Sequence, residues 1–143
     1  LLRMDAGSAP TGTGAPEDPW VLTTPSGGSE YSMHLDPAAD PPLLVCQVGK
    51  TRLTYLSGAL DDLHAWLVEQ GDWVLLGGAD EQKPAAEGTV EAWGRSETNP
   101  VGGWYGQKKG LRGRFGVYVP PVLVAQGRAE IVVEARKARI RAL

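Results

Sequence analysis

The stretch Trp104–Arg114, WYGQKKGLRGR, gathers two aromatic rings, three glycines and four cations within eleven residues. Glycines let a backbone come close to a ligand and leave amide N–H groups free to cradle phosphate oxygens. Lys108, Lys109, Arg112 and Arg114 supply positive charge, and Trp104 and Tyr105 are rings on which a base could stack. The spacing of Gly110, Gly113 and Gly116 is GxxGxxG, which is neither the dinucleotide fingerprint nor a P-loop. The competing reading is a surface turn with solvated cations and its two aromatics in the core.

Other reactive residue types give less. Gly49-Lys50-Thr51 has the ending of a P-loop, but the required earlier glycine position is Leu44, and a strand pattern follows instead of a helix. His34 and His64 are the only histidines, and with the single cysteine, Cys46, they show no CxxC or HxxxH spacing. Asp61 and His64 stand three apart on a helical pattern and can touch, yet acids in a first helical turn are explained by the helix dipole. Asp80, Glu81 and Glu87 flank a second expected helix start, where acids also belong. No Ser or Cys nucleophile has a local motif. No catalytic residue, metal ligand or cofactor is expected, and an enzyme using His34 or His64 with carboxylates ranks last among the readings.

Charge is distributed unevenly. From Trp104 onward nine cations face only Glu130 and Glu134, a net +7; the whole chain is −3, so residues 1–103 carry −10. Four of those cations, Arg136, Lys137, Arg139 and Arg141, lie near the end, three of them at alternate positions that give one strand face a basic character. Such a split suits a polyanion-binding face, or two halves that attract each other within one fold or between subunits.

These residues have to be positioned by a chain of 143 residues, enough for one domain with its own core. Residues 1–18 are rich in Gly, Pro, Ser, Thr and Ala and read as a flexible leader to a single α+β domain over 19–143. Leu1-Leu2 runs at once into Arg3 and Asp5, which is no signal-peptide core, and no apolar run approaches membrane-spanning length. Cys46 sits in Leu43-Leu44-Val45-Cys46, as a buried thiol would. A cytoplasmic protein without membrane contact is expected.

Residues 19–57 are β-rich. Strands are expected at Trp20–Thr24, Glu30–Leu35, Leu43–Val48 and Thr51–Leu56, with Ser26–Ser29 and Gly49-Lys50 as turns. Residues 58–143 are mainly helical. Ser57 is placed to cap a helix over Ala59–Gln70, with Leu60, Leu63, Trp66 and Leu67 on one face and Gly71 as its stop. Asp72–Leu76 is either strand or buried loop. A second helix is expected from Pro84 to Trp93, weakened by Gly88. Phe115–Gln126 is either an extended lead-in to a helix at Pro120-Pro121 or a Pro-kinked helix from Phe115. A hairpin with arms Glu130–Ala135 and Arg139–Ala142, turning at Arg136-Lys137, follows.

The order helix, helix, helix, hairpin loosely resembles a winged helix. The segments ADEQKPAAEGTVEAWGRS (79–96) and GWYGQKKGLRGRFGVYVPP (103–121) resemble a small bacterial family of unassigned function, a resemblance that implies no activity. The expected function is a non-enzymatic binding protein whose basic final third engages nucleic acid, DNA in the first place. Lys108, Lys109, Arg112, Arg114, Arg136, Lys137, Arg139 and Arg141 would meet phosphate, and Trp104 and Tyr105 would stack. The alternative is a protein-interaction or self-associating module, in which a homodimer brings the acidic half of one subunit to the basic third of another.

Overall fold

A computed structural model describes the backbone of residues 2–4 and all of residues 11–143. Two antiparallel sheets frame the molecule. The first is a meander of β2 (Trp20–Thr23), β3 (Glu30–Asp36), β4 (Leu43–Val48) and β5 (Thr51–Leu56), in sequence order. The second has the order β1-β7-β8-β6, where β1 is Leu2–Met4, β6 Val74–Leu75, β7 Ala129–Glu134 and β8 Lys137–Ala142. The α+β class and the C-terminal hairpin are as expected.

The meander follows the period-2 pattern. Tyr31 and Met33 on β3 are buried while Glu30 is exposed. β4 and β5 pair from Leu43 with Leu56 to Val48 with Thr51, so Gly49-Lys50 is a two-residue turn with Gly49 at φ 57°.

Helix α1 (Ala59–Gln70) buries Ala59, Leu60, Leu63 and Leu67, and it ends at Gly71, whose left-handed φ of 68° lets its N–H reach the Leu67 carbonyl. Its N-cap is Gly58 instead of Ser57, and no side chain caps it. The second helix is much shorter than the Pro84–Trp93 pattern suggests: α2 is the single turn Val90–Trp93. Gly88 takes φ 79°, which no helix tolerates, and Thr89 then caps α2 by accepting from the Ala92 N–H at 3.1 Å. Of the two readings for 115–126, the kinked helix is nearer. α3 (Phe115–Tyr118) and α4 (Pro120–Ala125) are consecutive short helices broken at Val119-Pro120. α4 has almost no polar face; it packs on β7 of one sheet and β2 of the other.

The expected leader contains structure. β1 pairs with β7, from Leu2 with Val133 to Met4 with Ile131. Thr11 bridges to Val21, the N–H groups of Thr13 and Gly14 reach the Asp18 carbonyl, and the Leu35 N–H bonds the Gly14 carbonyl. Gly14 lies so close to Trp20 that a Cβ there would meet the indole at 2.3 Å, so this loop lids a core residue. Residue 1 and residues 5–10 of that leader lie outside the described residues.

A row of aromatics joins the layers. Trp66 stacks on Trp93 at 5.3 Å, Trp93 on Tyr105 at 5.3 Å and Tyr105 on Phe115 at 5.4 Å, and Tyr55 meets Phe115 edge-on at 5.8 Å. Burying a ring such as Phe115 contributes about 1.5–3 kcal/mol. Resemblance to a winged helix stops at element order: α2 is one turn, and residues 94–114 separate it from α3, so among the described residues these two form no helix-turn-helix pair.

Candidate functional site

The glycine-rich basic loop does hold an anion, and the anion is part of the same chain. Glu81 accepts from the Gly110 N–H (3.1 and 3.0 Å to its two oxygens), from the Arg112 N–H (3.0 Å) and from Arg112 Nε (2.7 Å). This is the backbone cradle that the glycines suggested for phosphate, occupied by a carboxylate. The Arg112 guanidinium, helped by the two amides, holds the Glu81 carboxyl down at about 2. Next to it Arg114 Nε meets Asp80 at 2.6 Å, which lowers the Asp80 carboxyl below its usual range, and the Arg114 N–H donates to the Ala79 carbonyl at 2.8 Å. The glycines serve this clamp: a Cβ at Gly113 would lie 2.4 Å from the Glu81 backbone nitrogen, and one at Gly106 2.5 Å from the Arg112 carbonyl oxygen. The acids Asp80 and Glu81, expected to flank a helix start at Pro84, are thus the counterpart of the loop.

Behind the clamp is a third ion pair. Glu91, 1% exposed, accepts from the Gly116 N–H at 2.9 Å and from Arg95 Nη2 at 2.6 Å. Arg95 also donates to the carbonyls of Lys83 (2.9 Å) and Ala79 (3.1 Å), while its Nε is buried without a partner. The Arg95 and Arg112 guanidinium carbons stand 4.4 and 4.7 Å from the centre of the Trp104 ring.

The two proposed stacking rings therefore differ in fate. Trp104 is half-buried and engaged by two arginines. Tyr105 is fully buried between Trp93 and Phe115, with its hydroxyl donating to Asp62 at 2.8 Å; no base can reach it. Burial first, and Asp62 second, push its phenol above the ordinary range. The packing need of the core outweighed the exposed position that its neighbours implied.

Of the eight cations assigned to phosphate contact, Arg112, Arg114 and Arg141 are paired internally. Arg141 Nε meets Glu130, its cross-strand partner, at 2.7 Å and lies 4.5 Å over Trp73. Lys108, Lys109, Arg136 and Lys137 are exposed, and Arg139 is half-buried opposite Val132. The hairpin turns one residue earlier than expected, at Ala135-Arg136, both left-handed at φ 51° and 65°. That brings Lys137 across from Glu134. Beyond the eight, Arg128 meets Asp61 at 2.9 Å, so the acid once considered beside His64 serves another partner. Three ion pairs, Glu81 with Arg112, Asp80 with Arg114 and Asp61 with Arg128, thus join the acidic half to the basic third within the fold. Neither Glu81 nor Asp80 had a local signal as a partner; only the opposite charge of the two regions hinted at it.

Cys46 is buried, and burial pushes its thiol up. Among the described residues no three His, Cys, Asp or Glu side chains come together as metal ligands would. No helix among them is long and apolar enough to cross a membrane. An open cavity of about 390 Å³ lies between the hairpin tip, the end of β6 and α3.

Compared with known proteins, no curated protein and no solved structure matches this chain. The two segments at 79–96 and 103–121, which form the clamp and the buried ion pair, are the ones that resemble a family of unassigned function. The family of unknown function DUF6855 matches residues 12–143, and the chain belongs to that family.

Proposed function

We propose that this chain is a non-enzymatic binding protein whose exposed cations engage a polyanion, nucleic acid first. The observation that supports the reading is the set of cations the fold leaves over. Among the described residues Lys108, Lys109, Arg136, Lys137 and Arg139 make no ion pair, although the chain has acids enough to pair with them. Lys108 and Lys109 stand on a turn closed by the Leu111 N–H to the Lys108 carbonyl and fixed from below by Glu81. Arg136 and Lys137 stand at a hairpin tip. Contacts of this kind go to phosphate and carry no sequence information. Self-association through opposite charges has less support, because Asp80, Glu81 and Glu130 already meet arginines of their own chain.

Fluorescence-polarisation titration with a mixed duplex and a single strand, across salt, tests the reading. Five phosphate contacts cap the slope of log K against log salt at about −4.5, a loss of at most roughly 500-fold between about 50 and 200 mM. Lys108→Glu with Lys109→Glu is expected to reduce the slope by about 2 without lowering Tm. Absence of binding at low salt overturns the reading.

A further inference from the structure

The cavity beside the hairpin tip differs in character from the rest of the basic surface. Its volume of about 390 Å³ sits at the lower end of the ~300–1,000 Å³ typical of small-molecule sites. Leu75, Val117, Val133 and Ala138 form apolar walls, and Arg136 and Lys137 line the hairpin side. Among the described residues no acid lines it; Glu134 faces Lys137 in the hairpin register but is not part of the wall. The two hydroxyl side chains that line it are occupied: Thr89 Oγ1 donates to the Ala86 carbonyl and accepts from the Ala92 N–H, and Ser26 Oγ shares a hydrogen bond with Thr24 Oγ1 at 3.3 Å. What remains is an apolar trough with two cations at one end.

The turn that carries Arg136 is built against local preference. Two successive left-handed residues make the hairpin geometry that Asn-Gly adopts without strain, yet the chain places Ala135 and Arg136 there, each with a Cβ. Strain of this kind at an exposed tip directs attention to what the side chain does.

We propose that this cavity binds an amphipathic monoanion: an apolar chain lying on Val117, Val133 and Ala138, with one carboxylate or phosphate head at Arg136 and Lys137. Free amphiphiles and lipid headgroups share that chemistry. The site needs the apolar walls as much as the charge, so it does not depend on nucleic-acid binding, and failure of either reading leaves the other standing.

Calorimetric titration of the full chain with decanoate is the test. One equivalent is expected to bind, with decanol binding less tightly. Arg136→Glu, and Ala86→Phe, which fills the trough from an exposed wall position, are each expected to weaken binding about tenfold or more. Arg136→Gly is expected to weaken binding while raising Tm, because glycine is at ease at that φ; a merely structural role for Arg136 would not separate the two. Phosphatidylglycerol vesicles captured by the native chain and not by Ala86→Phe would assign the head to a bilayer surface, and decanoate capture alone would assign a free amphiphile. The proposal is overturned if neither probe binds, or if decanoate binds all variants equally.

Discussion

Glu91→Gln isolates the electrostatic part of the buried ion pair. The substitution keeps volume, and the amide oxygen can still accept the Gly116 N–H, which Glu91 takes at 2.9 Å. What is lost is the charge facing Arg95 at 2.6 Å, where the guanidinium side chain is only 12% exposed and one nitrogen has no partner. Removing one member of such a pair typically costs about 3–5 kcal/mol, because the survivor is left charged and poorly solvated. Arg95 keeps two carbonyl acceptors and the Trp104 ring, so the lower end, about 3 kcal/mol, is expected. That is a large share of the ~5–15 kcal/mol that holds a domain of this kind. Urea unfolding followed by tryptophan fluorescence reads it directly: with m near 2 kcal/mol/M, the midpoint should fall by about 1.5 M. Pairing the change with Arg95→Met should recover part of the loss, since no buried charge then remains. A fall of less than about 1 kcal/mol in the single variant, with m unchanged, would refute the idea that this pair acts as a desolvated unit.

Acid stability should report the loop clamp. Glu81 is held at about 2 against a usual 4.5, so its contribution is complete above about pH 4.5 and is lost as pH falls through about 2. Glu81→Gln should flatten the decline in stability over that window, which unfolding midpoints between pH 5 and 2 would show; an unchanged slope would assign the acid limb to other carboxyls. Cys46, with its thiol buried and raised, should resist iodoacetamide at pH 8 in native buffer and react fully in guanidinium; rapid native labelling would place it nearer the surface than the fold does.

Local patterns were legible where one period or one backbone requirement dominates. Leu60, Leu63 and Leu67 at helical spacing with Gly71 behind them specify α1, and alternation from Tyr31 to Met33 specifies β3. The Pro84–Trp93 pattern failed because a left-handed Gly88 outweighs a weak apolar period, and because Asp80 and Glu81 are occupied by the loop clamp. Tyr105 was misplaced since its exposed neighbours gave no sign of the aromatic row it completes with Trp93 and Phe115. The clamp itself joins residues some thirty positions apart, and no local spacing encodes which acid meets which arginine.

The order of strands in the second sheet has a consequence for how the molecule comes together in time. The meander β2-β3-β4-β5 links neighbours, so its pairings close over short loops and can form early. β6, by contrast, has its only strand partner among the described residues in β8, and β1 pairs with β7, so both must wait until the final hairpin has been synthesised. During that interval Val74 and Leu76, buried in the finished fold, have no hairpin to cover them. A nascent chain would therefore carry a formed meander beside an unfinished sheet, and the late, long-range docking of β7 and β8 is the step at which refolding should be slowest and association between incomplete molecules most frequent.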